Sequence, residues 1–477
     1  MSLIKQQTFT GLLWSSLERF SVQGIQFILS FVIARQLLPS DYGIIAMLAI
    51  FMALAQIFVD SGFSNALIQK QNRSQIDYST VFHFNVGIGI LMYILLLLIA
   101  PYIATFYQQP LLKAIIKWLG LNLIINSLSS VHRTILTIEF DFKRQAFISL
   151  VAVLISGLTA VYLALHGYGV WTLVVQTLIM NSINTLLLWI TTRWYPDLIF
   201  SRNSFKELFS FGSKLLLGGV LHSIYVNLYT LVIGKVFPVR ELGLYNRASS
   251  LSQFPSTNIT GIIVRVTYPV FCRLQNDNDF LTEKFYLFIR LTSFIVFPLM
   301  LGLVALSEPL VRLVLTEKWL DAVPYIQILC FAYMWDPIMR MSWDLLNVKH
   351  RSDYSLKSEV VKKVIAIAIL FISIPLGIKM MCLGLVVYAF FDLFIILQYT
   401  KKILPQVTIK NHLKNIFPLF IQTILMGLGV YLFIQLFSNA WIQLLGGITL
   451  GIIIYFFLSI YFSKNELLYI IQQIKLK

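Results

Sequence analysis

Charged side chains inside otherwise apolar segments are the places where this sequence could do chemistry. They are Glu18 and Arg19 in "GLLWSSLERFSVQG", Asp60 in "FVDSGFSN", Arg247 in "GLYNRASS", Arg265 in "NITGIIVRVTYPVF", and Asp336 with Arg340 in "MWDPIMRM". A charge at membrane depth is costly and usually has a task. An arginine fork donates two parallel hydrogen bonds and so suits phosphate, whereas a lone carboxylate can carry a proton or pair with a cation. Arg19 stands roughly 13 Å into its segment at 1.5 Å per residue. It either contacts an anion in a wet cavity or snorkels to the headgroups. Glu18 points about 100° away from it, so the two do not pair with each other. Glu18 and Asp60 are the candidates for ion coupling, with a local hydrogen bond to the following turn as the other reading of Asp60. Arg19, Arg265 and Arg247 are the candidates for substrate contact. Arg265 can equally snorkel, and Arg247 can equally anchor the chain at the interface. Asp336 and Arg340, spaced i,i+4, are expected to form a structural ion pair, with a kink at Pro337.

The elements that must carry these residues follow from composition. Of 477 residues, 58% are apolar and 12% charged, where a soluble domain has about 25% charged. The apolar residues fall into about 14 blocks, the first near 11–33 and the last near 441–463, each able to cross roughly 30 Å of hydrocarbon as a helix. The expected fold is therefore an all-α integral membrane protein of about 14 transmembrane helices. The net charge of +16 does not signal nucleic-acid binding, because Lys and Arg come in ones and twos between the blocks. Counted on alternate sides they number roughly 27 against about 9, which puts both termini in the cytoplasm. Cys272, Cys330 and Cys382 have no CxxC spacing, so neither a metal nor a disulfide framework is expected. No cofactor is called for, and no cleavable signal pattern is read at the first block.

A repeat organises the blocks. "IARQLLPSDYG" ends the first and "IGKVFPVRELG" the seventh, with Arg35 over Lys235, Asp41 over Glu241 and Gly43 over Gly243. Arg133 then falls over Arg340 and Arg144 over Arg351 at a slightly larger offset. Six spans per copy give both copies one orientation, a parallel repeat about a pseudo-two-fold axis along the membrane normal. The expected lobes are 1–200 and 201–405, followed by two additional helices in 406–477. Substrate sites in such proteins lie between the repeats, so the pattern is that of a transporter.

"FVIARQLLPSDYGIIAM", "DSGFSNALIQKQ", "HGYGVWTLVVQ" and "GLYNRASSLSQFP", in this order along nearly the whole chain, resemble the polysaccharide transporter family. These are the Wzx-type lipid-linked oligosaccharide flippases, here closest to colanic-acid and exopolysaccharide exporters, of the multidrug/oligosaccharidyl-lipid/polysaccharide export superfamily. The resemblance implies a non-enzymatic flippase in the bacterial inner membrane. It would move undecaprenyl-diphosphate-linked repeat units by alternating access, among membrane lipids and polysaccharide assembly proteins. It also implies that Arg19 contacts the diphosphate or acidic sugars. Two other readings compete. A membrane polymerase or ligase would need an acid/base constellation on the outer side, and the outer loops here are short. A cation-coupled drug antiporter would favour buried carboxylates over arginines.

Overall fold

The computed structural model describes residues 21–60 and 62–475; Glu18 and Arg19 lie outside the described residues. Among the described residues all regular structure is helical. Residues 21–36 form α1. Then come α2 (Pro39–Asp60), α3 (Phe63–Gln69), α4 (Gln75–Tyr107), α5 (Leu111–Leu119), α6 (Leu121–Ile138), α7 (Phe142–Leu165), α8 (Trp171–Thr192) and α9 (Arg202–Val236). The chain continues through α10 (Val239–Arg273), α11 (Asn278–Val314), α12 (Val323–Tyr333), α13 (Asp336–Val348), α14 (Ser352–Ser373) and α15 (Ile378–Lys401). It ends with α16 (Ile409–Gln435), α17 (Gly447–Phe462) and α18 (Lys464–Lys475).

Ten helices among the described residues are long and apolar enough to cross a membrane. Where about 14 were expected, the differences have local causes. The block at 323–345 is broken into α12 and α13, with Pro337 in the first turn of α13, where its missing N–H leaves no helix bond unmade. The blocks near 249–271 and 358–376 fall on α10 and α14, which are helical but more polar or more charged. The first block is described only from residue 21.

The helices start where polar side chains can satisfy their free N–H groups. Ser74 and Asp77 form a capping box on α4, the Ser74 hydroxyl accepting from Asp77 N at 3.3 Å and the Asp77 carboxylate from Ser74 N at 2.8 Å. Asp141, Ser201, Asp277 and Thr408 cap α7, α9, α11 and α16 in the same sense. These caps all fall in the segments that carry the Lys and Arg excess, so polar starts and positive charge share one set of loops.

Contacts divide the chain into two compact units, Met1–Gly243 and Leu244–Lys477. In the first, α2 packs on α9 and α4, α6 on α4 and α8, and α7 on α8. Helix α9, which follows residue 200, thus makes its contacts with α2, α3 and α4. Phe63 is fully buried at the start of α3, with ring centroids 4.8 Å from Phe84 on α4 and 5.8 Å from Phe205 on α9. In the second unit α11 packs on α16 and α12, α15 on α12 and α14, and α16 on α17. Helix α18, which the apolar pattern did not announce, is tied to α11 by Glu466 and Arg290 at 2.9 Å.

Two backbone features need glycine. Between α2 and α3 the chain turns at Gly62, φ +69°, where a Cβ would lie 2.8 Å from the carbonyl oxygen of Gly212 on α9. The repeat motifs also meet reciprocally: a Cβ on Gly43 would strike the Val239 carbonyl, and one on Gly243 the Pro39 carbonyl. Both contacts lie within the first unit, between the starts of α2 and α10.

Candidate functional site

The first unit holds a polar cavity of about 550 Å³. Its wall comes from the end of α2, from α3, the second half of α6, the first half of α7 and the second half of α8. These helix ends lead into the loops that carry Lys70, Arg73, Lys143, Arg144 and Arg193, so the cavity occupies the half of the unit nearest the basic loops.

Helix α6 supplies most of the chemistry. Asn122, Asn126, Ser129, Arg133 and Thr137 recur at three- and four-residue steps, one stripe along an otherwise apolar helix. Asn126 donates to Gln56 Oε1 at 3.1 Å, and Gln56 in turn donates to Asp60 Oδ1 at 3.0 Å. Asn181 on α8 donates to Asn122 at 2.8 Å, and Gln145 on α7 donates to the Thr137 hydroxyl at 3.0 Å. The hydroxyls of Ser130, Thr134 and Thr137 spend their protons on carbonyls of their own helix, at 3.0, 2.9 and 2.9 Å. What remains on them is acceptor capacity, part of it already taken in Ser130 by Asn85 at 2.9 Å and in Thr137 by Gln145. Arg133 lines the cavity and attracts Asp60 at longer range, but its guanidinium makes no hydrogen bond or ion pair among the described residues. The site thus offers one cationic fork, one carboxylate, several amides and a row of hydroxyl acceptors.

Beside it, the loop after α3 is braced by charge. Lys70 Nζ reaches Asp77 at 2.9 Å and Glu207 at 3.0 Å, joining that loop to α4 and α9. Burial alone would lower the Lys70 pKa. Hydrogen bonds to the two carboxylates outweigh it, and the ammonium sits above the ordinary lysine value.

Of the residues singled out by sequence, only Asp60 lines this cavity. Arg19 and Glu18 lie outside the described residues. Arg247 and Arg265 both stand on α10, Arg247 buried at 8% exposure and Arg265 exposed. The expected Asp336–Arg340 pair is not formed. Arg340 Nε pairs instead with Asp344 Oδ1 at 3.4 Å, one turn onward. Its guanidinium stacks on Trp343, 4.7 Å from the ring centroid, which draws it toward the C-terminal turn of α13. Asp336 faces Asp392 on α15 instead. Sequence reading noticed Arg133 only as a repeat mark and missed Gln56, Asn126 and Asn181. The polar stripe on α6 is the signal that would have found them.

The chain has recognisable relatives. Residues 32–324 match the family described as polysaccharide biosynthesis protein. The lipopolysaccharide biosynthesis protein WzxC of Escherichia coli (strain K12) is 28% identical over 362 residues, covering 75% of this chain and 73% of that one. The teichuronic acid biosynthesis protein TuaB of Bacillus subtilis (strain 168) is 26% identical over 358 residues, 74% of each chain. Among solved structures, the lipid II flippase MurJ in an inward closed conformation superposes with a TM-score of 0.78 at 14% identity, over 95% of this chain and 99% of that one. An inward-facing multidrug resistance MATE family transporter of the MOP superfamily gives 0.64 at 14% identity, over 83% and 98%. At such identities the likeness is one of fold, and the fold is that of a multi-pass membrane transporter. By the match over 32–324, this chain belongs to the polysaccharide biosynthesis protein family.

Proposed function

We propose that this protein is a flippase for lipid-linked oligosaccharides. It moves undecaprenyl-diphosphate-linked repeat units of a lipopolysaccharide, capsule or exopolysaccharide across the bacterial inner membrane by alternating access, without covalent chemistry. Both termini are cytoplasmic in this reading. About 14 spans form two six-helix lobes, 1–200 and 201–405, and two further helices. Arg19, Arg247 and Arg265 remain proposed substrate contacts, and Glu18 and Asp60 proposed ion-coupling groups.

The observation that carries the reading is Arg133, a guanidinium with no ion pair or hydrogen bond among the described residues, in a polar cavity among helices apolar enough to cross a membrane. Arg133 is exposed to the cavity, and a ligand oxyanion is a partner its fork fits. The remaining wall suits a glycan. Each sugar hydroxyl both donates and accepts, and the cavity offers Ser and Thr acceptors beside Asn and Gln amides. Its volume lies within the roughly 300–1,000 Å³ common for small-ligand sites. Family membership and the flippase-like fold point the same way.

The test is complementation of a strain whose own exporter for the same glycan is deleted, reading surface glycan and membrane protein level together. Arg133→Ala is expected to cut export at least tenfold at unchanged protein level, and Arg133→Lys to give an intermediate value because the charge stays and the fork is lost. Full export by Arg133→Ala removes the cavity from the substrate path. The second reading, a cation-coupled drug antiporter, is favoured by the Asp60 carboxylate in the cavity. It requires that Asp60→Asn abolish drug resistance in an efflux-deficient host while glycan export is untouched.

A further inference from the structure

In the second unit a lysine lies where a free cation could be held. Lys362, on α14, is 5% exposed. Its Nζ stands 2.7 Å from Glu359 Oε1 on the same helix and 3.0 Å from Asp392 Oδ1 on α15. Tyr388, one turn before Asp392, donates its hydroxyl to that carboxylate. Lys363 follows Lys362 directly and so points about 100° away around the helix.

A structural ion pair matches charges one to one. This group sets one ammonium between two carboxylates on neighbouring helices. Buried pairs of this kind seldom add net stability over apolar packing. In a membrane protein their retention points to ion handling. We infer that α14 and α15 form a binding site for a monovalent cation, and that the ammonium of Lys362 is the cation filling it in this chain. The side chain is a tethered occupant, so the second unit holds its cation whatever the ionic composition outside.

Truncating the occupant should open the site to a soluble substitute. Purified Lys362→Ala protein is heated in matched concentrations of methylammonium chloride, sodium chloride and choline chloride, with unfolding followed by intrinsic fluorescence. Methylammonium or sodium is expected to raise its midpoint by about 2 °C or more over choline, the shift of a ligand that binds only the folded state. Wild type should respond alike to all three salts. Adding Asp392→Asn to Lys362→Ala should abolish the response. Lys362→Gln, which keeps the length and loses the charge, is measured in parallel in case the alanine variant does not fold. A folded Lys362→Gln or Lys362→Ala protein that responds identically to the three salts overturns the proposal. Because the readout is stability, its outcome is independent of whether the protein exports glycan.

Discussion

Helices α6 and α13 occupy matching places in the repeat and treat the same residue in opposite ways. On α13, Arg340 has Asp344 one turn away and is neutralised at 3.4 Å. On α6 the residue one turn past Arg133 is Thr137, whose hydroxyl turns back onto the Arg133 carbonyl at 2.9 Å and offers no charge. Thr137 is the repeat mate of Asp344, so the two helices differ at one decisive position. The cavity beside Arg133 is polar. On α13 the arginine has an acid for a partner, and on α6 it has none among the described residues. Availability to a ligand is thus decided by the partner at i+4 as much as by the arginine itself.

The comparison can be broken most severely by exchanging that partner. Thr137→Asp gives Arg133 the acid that Arg340 already has. It is expected to reduce glycan export about tenfold, the order of one lost charge-assisted contact, with the protein still folded and inserted. Export at the wild-type level would show that an unpaired Arg133 is not what matters. Next in size is Arg340→Ala, which leaves the Asp344 carboxylate buried at 2% exposure without its partner. Its cost falls on stability, about 1–3 kcal/mol given that the arginine is half exposed, and it appears as a lower unfolding midpoint with export per folded molecule retained. A loss of export at unchanged stability would erase the contrast between the helices. The smallest effect is expected outside both, at the α4 cap: Ser74→Ala should cost about 1 kcal/mol in thermal unfolding and leave export unchanged.

Much of this was legible beforehand. Apolar blocks of membrane-spanning length locate the long helices, since a chain in lipid must satisfy its backbone within the segment, whereas the seven-residue α3 lies almost wholly beyond its block. Pro337 marked the break that separates α12 from α13. The break between α5 and α6 at Gly120 was not marked, because a single glycine in an apolar run is compatible with a continuous helix. Helix α18 escaped because it is amphipathic and short of a span, and its anchor, Arg290, lies far away in sequence. Asp60 was found as an isolated charge, a signal that composition alone supplies. Arg133 was not recognised as a site residue because its meaning depends on Thr137 failing to be an acid and on neighbours from α2, α7 and α8. The i,i+4 spacing that points to Asp336 holds equally for Asp344 on the other side of Arg340, and the structure pairs Arg340 with Asp344.

The corner at Gly62 bears on how new cargo could be accommodated. There a side chain at Gly62 would meet the backbone of Gly212, 150 positions onward, and would also be strained at φ +69°. The wall of α6 has no such restriction. Diversity placed at Ser129, Arg133 and Thr137, with Gly62 held constant, would alter what the pocket recognises while keeping the turn between α2 and α3.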